Sequence, residues 1–234
     1  MPVSLEKSLE KSYKPLLINN KVVINVFLFL TLFFSAWAHA QKVDDLWIYV
    51  QNDRADQVSA LLKQGLDPNT TTDIGNPMLM QAVRDNSWAV FDVVMKNPKT
   101  NLKIMNGYQE TPLMYVSLVG DLSRVKALVA RGAEINHLGW TPLHYAASKG
   151  QTSVVEYLLS QGAMPNAPSP NGSSPIMMAA RSGSPDTVQV LLDAGADPVA
   201  IDMNGDNAAN VARDNGHSDL ADSLQEIIDK RQAK

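Results

Sequence analysis

A unit of about 33 residues recurs six times along this 234-residue chain, and one unit could not bury its own apolar surface. The clearest copy is "GWTPLHYAASKGQTSVVEYLLSQGA", residues 139–163. Thr141 is a good helix N-cap, and Pro142 suits the first helical position, where a missing N–H costs nothing. Leu143, Ala146 and Ala147 give that helix a small-residue face that a second helix can approach closely. After a turn at Gly150 and Gln151, Val154, Val155, Leu158 and Leu159 follow at the spacing of an amphipathic helix. Gly162 is placed to end it. The spacing predicts a helical hairpin with an apolar side left for its neighbours to cover.

The copies are in register. "TPLMYVSLVGDLSRVKALVARGA" starts at Thr111 and "SPIMMAARSGSPDTVQVLLDAGA" at Ser174, each with a glycine nine positions on. Weaker copies start at Asn76, Asp44 and Asn207, and the six starts lie 32, 35, 30, 33 and 33 residues apart. Thr141-Pro142-Leu143-His144, the Val-Val-x-x-Leu-Leu outer helix and the Gly-Ala-x-x-Asn exit together resemble the ankyrin repeat. The resemblance runs from Asp44 to about Ile228. It implies an all-α ankyrin-repeat solenoid of about six helix-turn-helix repeats with short β-hairpin fingers. The first and last copies lack Thr-Pro, which suits terminal repeats whose outer faces meet water. Asn97 stands where a glycine would end the second repeat's outer helix, and asparagine tolerates a left-handed backbone. The exit "GAEINHLGW" is three residues shorter than the next, so a stubby finger is expected between the third and fourth repeats.

The domain organisation is read as residues 1–40, a secretory signal peptide with an extended n-region, followed by the repeats from 41 to 234. Lys21 precedes an apolar run from Val22 to about Trp37, and Ala38 and Ala40 frame His39 in an Ala-x-Ala pattern, so a cut after Ala40 is expected. An uncleaved anchor is the alternative, although about 16 residues interrupted by Asn25 is short for a span that needs about 20. Such a signal, ahead of a chain without cysteine, suits an exported bacterial protein of the periplasm. Contact with a membrane is expected only if the signal segment stays uncleaved.

The formal charge is −4, and removing residues 1–40, with four lysines and two glutamates, takes it to −6. Nothing in that balance suggests a nucleic-acid partner. The absence of cysteine excludes disulfides and cysteine-based metal sites.

The candidates for chemistry each have a structural reading. His144 stands at the position where, by the resemblance, a histidine bonds between neighbouring repeats. His137 and His217 have no further ligand at metal spacing. Asp202-Met203-Asn204-Gly205-Asp206 is half a calcium loop without its closing glutamate, and Asp, Asn and Gly favour turns for backbone reasons. Met78, Met80, Met114, Met177 and Met178 fall at helical spacing on inner helices, as adaptable core filling does. No catalytic residue, cofactor, metal or small-molecule substrate is expected.

Function is therefore expected on a surface. In the ankyrin family the partner lies against the concave face of fingers and inner-helix ends, which maps to the position before each helix start and those seven and eight after it. These are Glu110, Leu118 and Val119; Trp140, Ser148 and Lys149; Ser173, Arg181 and Ser182; and Val83 and Arg84. Leu118, Val119 and Trp140 would sit mid-face, rimmed by Arg84, Lys149 and Arg181; the other reading has Trp140 folded over the short finger and Leu118 packed locally. The expected function is a non-catalytic protein–protein interaction module of the cell envelope, with a protein partner on the concave face. Its rival is a dedicated accessory or chaperone subunit of one exported enzyme.

Overall fold

The computed structural model describes residues 45–233, so the expected signal peptide and its cleavage site lie outside the described residues. The chain divides into residues 1–48 and 49–234. Of the first unit only 45–48 are described, and they are helical. The second unit continues that helix to residue 51 and then carries α1 (Ala55–Lys63), α2 (Met78–Arg84), α3 (Trp88–Lys96), α4 (Pro112–Val119), α5 (Leu122–Ala130), α6 (Pro142–Ser148), α7 (Thr152–Ser160), α8 (Pro175–Ser182), α9 (Pro185–Asp193), α10 (Ala208–Asp214) and α11 (Ser218–Gln232). This is an all-α solenoid. The inner helices α2, α4, α6, α8 and α10 each contact the next, and the outer helices lie behind them. No helix among the described residues is long and apolar enough to cross a membrane.

Small side chains make the inner stack possible. Ala146, Ala147, Ala179, Ala180, Ala208 and Ala209 are fully buried, so neighbouring inner helices approach closely. Leu113, Leu143 and Ile176 fill the level beneath, and Met78, Met80, Met114 and Met177 occupy the gaps, each at most 1% exposed. From the outer helices Val125, Val155 and Leu158 are fully buried on the same core.

Polar groups at the repeat ends lock each unit to the next. Gln151, at the start of α7, donates from Nε2 to the carbonyls of Leu118 and Val119 at the end of α4, both at 3.3 Å. Those carbonyls belong to the last turn of α4, where a helix has no internal partner to offer. Gly120 has φ 86°, so the backbone favours glycine there, and a Cβ would also displace the Gln151 amide from these carbonyls. The exit asparagines form a second set of links. Asn69, Asn136 and Asn166 each accept from a backbone N–H of the following repeat's exit, of Asn101, Met164 and Asp197, at 2.7, 3.0 and 2.8 Å. Each also donates from Nδ2 to a carbonyl there, of Lys99, Gly162 and Gly195.

Two local expectations change. The fingers are turns and not paired strands: among the described residues there is no strand, only an isolated bridge between Thr71 and Pro77. Two backbone bonds close a finger, as from Asn106 N–H to Glu110 O at 3.1 Å with Gln109 N–H to Asn106 O at 3.0 Å, or from Ser169 N–H to Ser173 O at 3.0 Å with Gly172 N–H to Ser169 O at 2.9 Å. A five-residue reversal leaves no length for a ladder. Asn97 is extended, at φ −68° and ψ 126°, and not left-handed. It ends α3 as a side-chain turn, its Oδ1 accepting from Lys99 N–H at 3.0 Å, while the Val94 carbonyl accepts from both Asn97 N–H at 3.1 Å and the Thr100 hydroxyl at 2.6 Å.

His144 is fully buried and joins the fourth repeat to the fifth. Its Nε2 lies 3.1 Å from the Ser173 carbonyl, which can only accept, so Nε2 carries the proton. Nδ1 then accepts from Thr141 N–H at 3.2 Å and from the Thr141 hydroxyl at 2.9 Å. The hydroxyl of this N-cap is thus spent on the imidazole. Burial lowers the His144 pKa to about 4, against the opposing pull of the Ser173 carbonyl.

Two outcomes follow from this packing. Leu158→Ala, at a fully buried central position, should cost on the order of 2 to 5 kcal/mol and uncouple the two halves of the array; a single sharp urea transition at the wild-type midpoint would contradict this. Because the His144 pKa is lowered on folding, the unfolded chain binds the extra proton, and stability falls as pH drops from 6.5 towards 4. Urea midpoints between pH 7 and 5 should show a loss of up to about 1.4 kcal/mol per pH unit, and in a folded His144→Gln variant that pH dependence should disappear.

Candidate functional site

The inner helices end on one face, and the side chains there come from equivalent turns of successive repeats. Leu118 of α4, Trp140 just before α6, His144, Tyr145 and Ser148 of α6, and Met178 of α8 line a pocket of ≈ 200 Å³. It draws on three repeats. The Trp140 ring stands edge-on to the buried His144 ring, with centroids 5.3 Å apart and planes at 80°. The imidazole that ties two repeats together therefore also backs the indole. Leu118 is half-buried, Val119 beside it is 49% exposed, and Ser148 bonds back to the Tyr145 carbonyl at 2.8 Å.

Next to the pocket lies a polar network centred on Glu110. Its carboxylate accepts from the Tyr145 hydroxyl, from the Tyr115 hydroxyl at 2.8 Å and from Asn106 Nδ2 at 2.7 Å. Tyr115 in turn accepts from Arg84 Nη1 at 3.2 Å, and the Arg84 guanidinium lies 5.9 Å from the Tyr115 ring centre. Burial alone would raise the Glu110 pKa, but the bonds from Tyr145, Asn106 and Tyr115, with the Arg84 charge, hold it below the usual value. Burial and then the Glu110 carboxylate raise both tyrosines, Tyr145 far above its ordinary range. The network spans the second to the fourth repeat and fixes Tyr145, one wall of the pocket.

The expected surface residues divide accordingly. Leu118, Trp140 and Ser148 meet in the pocket, with Val119, Lys149 and Arg181 exposed around them. Glu110 is not a free rim group but the hub of the network. Ser173 is buried and serves His144 through its carbonyl, and Ser182 bonds back to the Ala179 carbonyl at 2.8 Å. In the second repeat the helix begins one residue later than Asn76-Pro77 implies, with Pro77 as N-cap. Asn86, at φ 58°, takes the left-handed turn that glycine takes elsewhere. That slip buries Val83, 5% exposed, and makes Arg84 the counterpart of Leu118. Tyr115, Tyr145 and Met178 are site residues that the expected set lacks. All three stand four positions after the helix cap, a periodicity visible in the sequence.

Among the described residues no group of three or more His, Asp or Glu could hold a metal ion. Asp202 turns its Oδ1 onto the N–H groups of Asn204 and Asp206, at 2.8 and 3.1 Å, as a finger turn does. The arrangement offers an apolar recess, a fixed aromatic wall and open positive charge, which are the means of non-covalent recognition.

A family model for ankyrin repeats, in three copies, matches residues 79–169 and 164–233. Among curated proteins, the ankyrin repeat and SAM domain-containing protein 6 of Rattus norvegicus is 31% identical over 109 residues, 45% of this chain and 12% of that protein. The 2-5A-dependent ribonuclease of Mus musculus is 42% identical over 59 residues, 24% of this chain and 8% of its own length. Protein phosphatase 1 regulatory subunit 27 of Homo sapiens is 45% identical over 58 residues, 24% of this chain and 38% of that protein. The chain thus spans well under two thirds of each of these relatives. With the stacked helical pairs and this match across most of its length, the chain belongs to the ankyrin repeat family.

Proposed function

We propose that this chain is a non-catalytic protein-binding module of the cell envelope, exported behind residues 1–40 and taking its partner on the concave face. Ankyrin repeats imply a protein–protein interaction module, and a repeat array presents surface and not a reaction centre. The observation that carries the reading is the open recess lined by Leu118, Trp140 and Met178, with Val119 49% exposed at its edge. Apolar and aromatic groups left open mid-face are the usual anchors of an interface. Export rests on the sequence alone: the apolar run from Val22 and the Ala-x-Ala pattern at Ala38–Ala40. The rigid backing by His144 and Tyr145 supports a surface formed before the partner arrives.

The double variant Trp140→Ala with Val119→Ser should weaken partner capture from periplasmic extract by about 2 kcal/mol or more, with circular dichroism melts close to wild type. Gln189→Ala, on an exposed position of α9, should change neither. Equal capture by the folded double variant and the wild type would place the partner on another surface.

A further inference from the structure

The pocket is small. At ≈ 200 Å³ it falls below the roughly 300 to 1,000 Å³ of sites that hold drug-sized ligands, so it has room for one large apolar side chain. Lys149 follows Ser148, and Arg181 is three residues beyond Met178 on α8, a spacing that brings Cβ atoms to about 5 to 6 Å. Both cations are exposed, and among the described residues neither has a carboxylate partner. Glu110, the carboxylate that holds the pocket's Tyr145 wall, is already engaged. It accepts from three donors, and Asp85, beside Arg84, takes Gln81 Nε2 at 2.9 and 3.0 Å.

We infer that the occupant of this face is a polypeptide segment with one large apolar side chain seated among Leu118, Trp140 and Met178 and one or more carboxylates within about four residues of it, paired with Lys149 and Arg181. The inference rests on the concave-face reading above and adds the partner's chemistry to it. Two exposed cations without a carboxylate partner, at the ends of successive inner helices on a chain whose formal charge is −4, make a local positive field that would repel a basic segment. The carboxylates would gain charge-assisted bonds at an exposed rim, so their effect should be strong in association rate and salt dependence. Beyond Arg181 the equivalent position of the next repeat is the exposed Asp214, which limits the favourable stretch to the fourth and fifth repeats.

The test is selection of a phage-displayed random dodecapeptide library on the full-length protein, on a Lys149→Glu/Arg181→Glu variant and on the Trp140→Ala/Val119→Ser variant, each checked for folding by circular dichroism. Wild type should select peptides with a large apolar residue and Asp or Glu within four positions. Their synthetic versions should bind the charge-reversed variant about tenfold or more weakly, and 0.5 M NaCl should remove most of that difference. The charge-reversed protein should instead select Lys or Arg near the apolar residue. Failure to recover an acidic consensus from wild type, or recovery of the same peptides by the charge-reversed variant, overturns the inference. The third protein separates the two readings. Peptides that bind the Trp140/Val119 variant undiminished show that the concave-face reading itself has failed, whereas peptides that need Trp140 but carry no acidic preference sink only the partner chemistry.

Discussion

No helical pair in this chain can cover its own apolar face, and everything else in the structure follows from the covering supplied by the pairs beside it. The fully buried alanines of α6, α8 and α10 let inner helices approach until larger groups such as Leu143 and Ile176 interlock beneath them. The energy of the fold is thus stored between repeats, and stability is a sum of neighbour terms without one central core. The same constraint decides where function can lie. Surfaces used for stacking are unavailable to a partner, which leaves the helix ends, the fingers and the exposed side of the outer helices.

The links between repeats are also what shape the recess. His144 bonds forward to the fifth repeat through Ser173 and stands behind the Trp140 ring. Tyr145 is held by Glu110 of the third repeat, and through Tyr115 that network reaches Arg84 of the second. The side chains that link the repeats therefore also form the walls of the recess, and their rotamers are fixed by the neighbouring repeats; under the proposed function, little side-chain freedom would be lost on binding.

Much of this was readable in the sequence because the signals were local. Thr111, Thr141 and Ser174 before proline mark helix starts, and the glycines nine positions on mark the turns that follow. Where one residue type admits two local solutions, the reading failed. Asn76-Pro77 looks like a cap and first turn, yet Asn76 is engaged with Gln81 and Asn106 and the helix starts at Met78. Asn97 can go left-handed but ends α3 through its side chain instead. Glu110 stood among the expected contact positions because no local pattern marks its partners Asn106 and Tyr115, and the third, Tyr145, is 35 residues away.

The joints between repeats are not alike. The exit asparagines Asn69, Asn136 and Asn166 bridge the first repeat to the second, the third to the fourth and the fourth to the fifth through amide bonds. Between the second and third repeats charges span the outer side of the joint, beside one neutral bond from Asn106 Nδ2 to Asn76 Oδ1 at 3.2 Å. Lys103 pairs with Glu134 and Arg124 with Asp92 at 2.9 Å, the guanidinium lying 4.6 Å from the Trp88 ring centre, while Arg131 reaches the Asn97 carbonyl at 3.2 Å. Dissolved ions weaken exposed charge pairs and leave neutral amide bonds largely untouched. Ionic strength thus acts unevenly along the array: it weakens the joint between the second and third repeats, and the Arg231–Asp197 contact at 3.9 Å between the fifth and sixth, more than the joints bridged by asparagine.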